Sequence, residues 1–364
     1  MMKTTVSKDA LSGVLRKVLS AVNTKTTIPV LNNVHLEAAD GKLAVAATDL
    51  EVFIRSEAEA KVETEGKTTL PARKFGQIIS ALPDGDIVLE TDDNEQTAIS
   101  CKQSFFRMLG LAATEFPSEE QNDGEWSFTL KASLFKDMLS KVAYAASTDE
   151  SRHVLNGILL SIREGILTAV GTDGRRLALL ENPLNTENGA DGDVILPPKV
   201  IGELIKVLDR DLELQVQLSD ARASFIIPGT LITSKLVEGS YPNYRQVIPS
   251  SFNNSAVMPR DAFAEAVNRV AMVVTESSSS IRLSLETGKA TVSAASAEVG
   301  EGNEPLEVSY EGDPLEISLN PQFLMDPLRH MECDQAVLQF NDQYSPVSIS
   351  GDEGFLYIIM PMRT

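Results

Sequence analysis

Side chains able to do chemistry are few and scattered in this 364-residue chain. The three histidines, His35, His153 and His330, lack the grouping of a metal site, and Cys101 and Cys333 sit in apolar or strand-like surroundings. Both cysteines read as reduced structural thiols of a cytosolic protein. No Gly-rich phosphate loop, HExxH or GxSxG occurs, and Thr172-Asp173-Gly174 is too short to denote a nucleophile. Asp92-Asp93 reads as a solvated turn, not a catalytic carboxylate pair. The expectation is a protein that is not an enzyme and holds no cofactor and no metal.

What is organised is repetition, and the elements that carry it. The segment VLNGILLSIREGILTAVGTDGRRLAL (154–179) has strand alternation on both sides of Glu164-Gly165, the pattern of a hairpin. A copy at 30–54 matches it at a constant offset of 124, Leu31 with Leu155, Gly41 with Gly165 and Thr48-Asp49 with Thr172-Asp173. A fainter copy at 281–300 places Leu283, Gly288 and Val292 123 positions after Leu160, Gly165 and Ala169. So long a period excludes a solenoid, whose units run roughly 20 to 50 residues, and points to three duplicated domains, 1–125, 126–252 and 253–364. In each, two helices and about eight strands are expected. The helix windows are 8–22, 73–82, 131–146, 198–208, 260–274 and 320–331, with Pro327 inside the last.

The net charge is −20, from 52 acidic and 32 basic residues, which as a bulk property argues against nucleic acid as a partner. The helix windows reverse that sign. They hold 13 Lys and Arg against 6 Asp and Glu, so the rest of the chain carries −27. Lysine and arginine are good helix formers on any solvated face, but glutamate is as good and is scarce here. Segregated charge predicts one surface of basic helices suited to sequence-blind phosphate contacts. No base-reading motif is present. The N-terminal MMKTTVSKDALSG has no signal-peptide run and no stretch reaches membrane-spanning length, so a cytoplasmic protein with no membrane partner is expected.

The repeat, together with LPARKF (70–75), VLNG (154–157), GTDGRRLA (171–178), TSKLVEGSYPNYRQVIP (233–249) and MPMR (360–363), resembles the bacterial DNA polymerase III beta subunit family, the sliding clamps, from end to end. The resemblance implies an α+β fold of three tandem DNA-clamp domains, each with two helices packed on antiparallel sheets, assembled as a homodimeric, six-domain ring. Such a ring encircles double-stranded DNA and tethers the replicative polymerase. Implied partners are the DNA polymerase III alpha subunit, the clamp loader and other proteins with clamp-binding motifs.

Carried over by motif, the partner-peptide cleft comprises Leu155, Thr172, Gly174, Arg176, Leu177, Pro242, Val247, Ile358, Met360, Pro361, Met362 and Arg363. Read by themselves, 172–177 is equally a turn and the terminal FLYIIMPM equally an edge or core strand. The ring joint implied is Phe106 and Met108 against Met272 and Val273, with Lys74 and Arg107 near Glu298, Glu301 and Glu304. Alternation also allows Phe106 and Met108 in their own domain's core. Lys25, Arg73 and Arg152 match DNA-facing positions, whereas Asp149, His153, Val154 and Gln246 depart from well-known relatives. The rival reading is a ring-shaped scaffold that binds only proteins.

Overall fold

The structure, a computed structural model, describes residues 1–22, 26–119, 124, 126–184, 191–208, 212–276 and 279–363. Its α-helices are α1 (Lys8–Val18), α2 (Ala72–Ala81), α3 (Ala132–Ala143), α4 (His153–Asn156), α5 (Pro198–Val207), α6 (Arg260–Val270) and α7 (Pro321–His330). All but the single turn α4 fall in the windows expected from periodicity, give or take a residue at the ends. Ser7 caps α1 by accepting from the Ala10 N–H at 3.2 Å, and Leu11, Val14, Leu15 and Val18 form its buried stripe. Asn320 caps α7 in the same way through the N–H groups of Gln322 and Phe323.

The first two hairpin copies are Asn33–Ala39 with Lys42–Thr48, and Ile158–Arg163 with Ile166–Thr172. Both turn residues have positive φ in each, Asp40 and Gly41 at 49° and 73°, Glu164 and Gly165 at 51° and 74°. This is the two-residue turn whose twist suits a hairpin. The third copy is Ile281–Glu286 with Lys289–Ser296. His35 fills a strand position in the first copy, with its ring 5.3 Å from that of Phe116. Burial lowers its pKa. Cys101 is buried, Cys333 half-buried, and both are free thiols.

The chain forms two compact units. One is built from Met1–Phe135 and Gly202–Leu236, the other from Lys136–Leu184, Gly189–Ile201 and Val237–Thr364, so neither coincides with one repeat. The reason lies in the sheets. Each unit contains an antiparallel sheet of eight strands that mixes two repeats. In the first unit, Val52–Glu59 of repeat one pairs with Thr230–Lys235, the last strand of repeat two, in the register Ile54↔Ile232. In the second, Arg176–Pro183 of repeat two pairs with Phe355–Ile359, the last strand of repeat three, in the register Ala178↔Tyr357. The strand after each hairpin thus takes up the final strand of the next repeat, which closes an edge that would otherwise be open.

Two strands are left over by this rule. Gly300–Glu307, the strand after the third hairpin, ends a four-stranded sheet, and Ser104–Leu109, the last strand of repeat one, ends a five-stranded sheet.

Candidate functional site

The turn joining the second hairpin to its next strand is locked by its own side chains. The Asp173 carboxylate accepts from the N–H groups of Arg175 at 2.8 Å and Arg176 at 3.1 Å, the Asx turn that a short Asp or Asn side chain makes. Thr172 Oγ1 donates to the Arg176 carbonyl at 2.5 Å and accepts from Gly174 N–H at 3.1 Å, while Gly174 takes φ of 86°.

From this turn Arg176 enters the protein, with its side chain only 10% exposed. Its Nε donates to Asp173 at 3.1 Å, one terminal nitrogen donates to Asp326 on α7 and the other to the Tyr144 carbonyl at 2.5 Å. The guanidinium also lies 4.3 Å from the Phe323 ring centroid. Burial opposes its charge, yet the hydrogen bond it donates to Asp326 and the fields around it prevail, and its pKa is raised.

Beside it, Pro327 sits inside α7 without ending the helix. Proline has no N–H to give the carbonyl four residues earlier, that of Phe323. Tyr357, fully buried, supplies the missing donor, its hydroxyl reaching the Phe323 oxygen at 2.7 Å. Tyr357→Phe is expected to leave that carbonyl unpaired and to lower stability by about 1–3 kcal/mol, read from the denaturant midpoint. A loss below a few tenths would mean that the carbonyl finds other company.

An apolar floor of Leu159, Val170, Leu177, Leu179, Ile195 and Ile358 lies next to the turn, with Val154, Tyr241, Tyr244 and Ile248 packed onto it. Met360 N–H donates to the Arg175 carbonyl at 3.0 Å and Met362 N–H to the Ser318 carbonyl at 2.8 Å, which seats the terminal segment. Met360 remains 42% exposed and Val247 48%. Pro242 is exposed and lines a groove of about 540 Å³ with Leu159, Tyr241, Tyr244 and Arg245.

The twelve cleft positions therefore divide. Leu177 and Ile358 are floor and Arg176 is framework. Leu155, Thr172, Pro361 and Met362 are half-buried, and Gly174, Pro242, Val247, Met360 and Arg363 face outward. Sequence reasoning passed over Asp173, Tyr144, Phe323, Asp326 and Tyr357. Two of these left a signal: an aspartate three residues before Arg176, and a helical proline that demands an outside donor.

Of the DNA-facing expectations, Lys25 lies outside the described residues. Arg73 is exposed on α2, and Arg152 is exposed beside Asp149 at 3.5 Å. Asp149 caps the turn that follows it, accepting from Ser151 N–H at 3.0 Å, and its two Ser151 bonds lower its pKa. Val154 packs on the apolar floor, whereas His153 and Gln246 are exposed.

The helix cations differ from the uniformly outward arrangement their count suggested. Lys141 is buried between Asp137 at 2.9 Å and Asp352 at 2.8 Å. Arg260 donates to the Met331 carbonyl at 2.7 Å, and Arg269 is held by Glu265 and Glu304. Among the described residues the exposed helix cations are Arg16, Arg73, Lys74, Lys206, Arg269 and Arg329. A lysine that gains two carboxylates can be desolvated, which composition does not reveal.

At the leftover edges, Phe106 is 41% exposed, flanked by Phe105 at 58% and Leu109 at 68%, while Met108 is buried at 9%. Arg107 lies 5.8 Å from the Phe105 ring centroid, and Lys74 is exposed. In the other unit Met272 is 70% exposed, Val273 half-buried, Glu298 and Glu301 exposed, and Glu304 bonded to Arg269. Among the described residues no group of three or more His, Cys, Asp or Glu is placed to hold a metal, and no helix is long and apolar enough to cross a membrane.

Comparison with known proteins gives one answer along the whole chain. Models of the DNA polymerase III beta subunit match at residues 2–120 for its N-terminal domain, 129–243 for its central domain and 245–363 for its C-terminal domain. The beta sliding clamp of Chlamydia muridarum is 34% identical over 362 residues, covering 100% of this chain and 99% of its own, and that of Caulobacter vibrioides is 34% identical with 100% of both covered. Among solved structures, the DNA polymerase III subunit beta of Pseudomonas aeruginosa superimposes with a TM-score of 0.95 at 30% identity over 100% of both chains. A Bartonella birtlesii sliding clamp bound to griselimycin does so with a TM-score of 0.94 at 30% identity, again over 100% of both.

Proposed function

The chain belongs to the DNA polymerase III beta subunit family, the beta sliding clamps of DNA replication, with three tandem α+β clamp domains, and from that membership we propose that two copies close head to tail into a ring around duplex DNA. The observation that carries the reading is the pair of unmatched edges. Within the chain the same strand pairing occurs twice, Ile54↔Ile232 and Ala178↔Tyr357. By the repeat, Gly302 stands where Ile54 and Ala178 stand, and Phe106 where Ile232 and Tyr357 stand.

A third, intermolecular junction of the same kind sets Phe106 of one copy opposite Gly302 of another, Arg107 opposite Glu301 and Met108 opposite Gly300. The absent side chain of Gly302 leaves room for the Phe106 ring. Val273 lies next to that room, since a Cβ on Gly302 would be 3.4 Å from its Cγ2. Opposite charges at 107 and 301 favour this register over a slipped one. Each edge is used once per copy, so a twofold pair leaves neither open.

In such a ring the exposed helix cations meet phosphates without reading bases, and sliding exchanges equivalent screened contacts. Processivity then follows from topology, with no chemical step for the protein to catalyse. The groove, the exposed Met360 and the half-buried Met362 near Leu177 and Ile358 suit short Leu/Phe-bearing peptides of the polymerase alpha subunit, the clamp loader and other partners. The experiment is retention on DNA. Loaded with clamp loader and ATP onto nicked circular duplex, the protein is expected to stay bound in high salt and to leave when the circle is cut. A scaffold that binds only proteins would show neither behaviour.

A further inference from the structure

The edge strand Gly300–Glu307 turns alternate residues toward α6, and two of them meet the helix in different ways. Gly302 leaves a notch, since a Cβ there would stand 3.4 Å from Val273 Cγ2 and 3.7 Å from Val270 Cα. Glu304, two residues along on the same side, accepts from Arg269 through both oxygens, from Nε at 2.9 Å and from a terminal nitrogen at 3.1 Å. The other terminal nitrogen donates to Glu265, one turn back on α6, at 3.2 Å. The notch therefore has Val273 at one end and the Arg269–Glu304 pair at the other.

Three nitrogens of one guanidinium are thus fixed, although the side chain is 48% exposed. An ion pair on an open surface contributes little, and holding a long side chain in one place opposes it through entropy. Two carboxylates on one exposed arginine, at an unpaired edge, point to a use for its plane. With its nitrogens engaged edge-on, Arg269 is poorly suited to a phosphate, but its faces stay open, and such a face takes an aromatic ring.

The proposed joint, on which this inference rests, brings a ring to that place. Phe106 of the other copy comes opposite Gly302, and Glu304 is then its diagonal neighbour, a span that aromatic side chains cover. Phe106 shares one side of its strand with Met108, which is buried in its own chain, so the ring arrives on the covered side of the sheet, where α6 lies. Ser104 comes opposite Glu304 and Arg107 lies on the other side of the strand, so nothing on the incoming strand competes with Arg269 for that carboxylate.

We propose that Arg269, pinned by Glu265 and Glu304, is a specificity-determining wall of the joint, with its guanidinium face stacked on the Phe106 ring of the other copy. The carboxylates set the plane and the ring uses it. An aliphatic side chain at 106 enters the notch but offers the guanidinium no π face.

The test is a double-variant cycle on the dimer, read by sedimentation of the full-length protein across a concentration series. Arg269→Ala is expected to raise the dissociation constant by roughly tenfold per joint, roughly a hundredfold for a ring with two. In the Phe106→Leu protein the same change should matter by less than roughly threefold, because the ring it serves is gone. Arg269→Lys keeps the charge without the plane and should fall nearer Arg269→Ala than wild type. The thermal midpoint of Arg269→Ala, read where both proteins are monomeric, should stay with wild type; a large fall would make Arg269 a brace of its own domain and overturn the proposal. Arg269→Ala that dimerises like wild type, or that weakens the Phe106 and Phe106→Leu proteins equally, overturns the wall and leaves the ring standing. A wild-type chain that stays monomeric at every concentration overturns the ring, and the wall with it.

Discussion

Asp352→Ala is expected to lower stability by about 3–5 kcal/mol, because it takes from an enclosed ammonium the more buried of its two carboxylate partners. Lys141 is 6% exposed and Asp352 9% at the side chain, 2.8 Å apart. The same carboxylate accepts from the N–H groups of Glu332 and Cys333, so the substitution also unfastens the turn after α7. Asp137, the other partner of Lys141, is more exposed and cannot replace all these bonds. The double variant Lys141→Met, Asp352→Leu should recover the part of the loss that comes from the ammonium, since an apolar pair needs no compensation for desolvation, and keep the part due to the freed N–H groups of Glu332 and Cys333. Guanidinium denaturation of the three proteins checks this. Equal midpoints for wild type and Asp352→Ala would sink it.

The pair also sets an acid limit. Burial pushes the Asp352 pKa up, but Lys141 and the two backbone N–H groups pull harder, and the net shift is downward. A carboxylate depressed in the folded state adds stability above its unfolded pKa, about 4, and loses it as pH falls through the lower folded value. The difference between wild type and Asp352→Ala should therefore stay constant from about pH 5 to pH 8 and shrink below about pH 4. A gap that instead narrowed toward alkaline pH would contradict the sign.

If the proposed ring forms, Phe106→Asp is expected to convert its dimer to monomers with little effect on the fold of the chain. The ring is 41% exposed in the single chain and covered only in the proposed joint, so its removal costs the monomer little. Covering the aromatic contributes about 2–3 kcal/mol, and a buried carboxylate adds a penalty of its own. A twofold ring has two joints, so the dissociation constant should rise by roughly 10⁴ or more. Sedimentation across a concentration series reads the change, with the thermal midpoint of the monomer as control. Gly302→Leu, on the opposite strand, should act in the same direction by filling the room meant for the ring. Were both variants to sediment as dimers, the edge register would be wrong.

The helices, the hairpins and the threefold repeat were legible along the chain, because each rests on neighbours a few residues apart. Ser7 before an apolar stripe, Glu164-Gly165 between alternating runs and a constant offset of 124 are local or periodic facts that need no partner to be seen. Cleft membership came from resemblance, and it mixed floor with surface: alternation along a strand tells that Leu177 and Ile358 have sides but not which is covered. The exposed ring of Phe106 and the buried Met108 show the same ambiguity two residues apart.

The pairing of charges and the passage of sheets between repeats come from contacts made only in the folded chain. That Arg176 turns inward to Asp326, that Lys141 is enclosed by Asp352, and that Tyr357 serves the carbonyl freed by Pro327 each joins residues far apart in sequence. Charge count cannot say whether a lysine is solvated or enclosed, because that depends on which distant carboxylate the fold delivers and on how much water it removes. Three like modules and their elements can be read along the chain, residue by residue. Only the folded chain shows that the modules share sheets, since strand pairing is long-range and its register is set by which faces become buried.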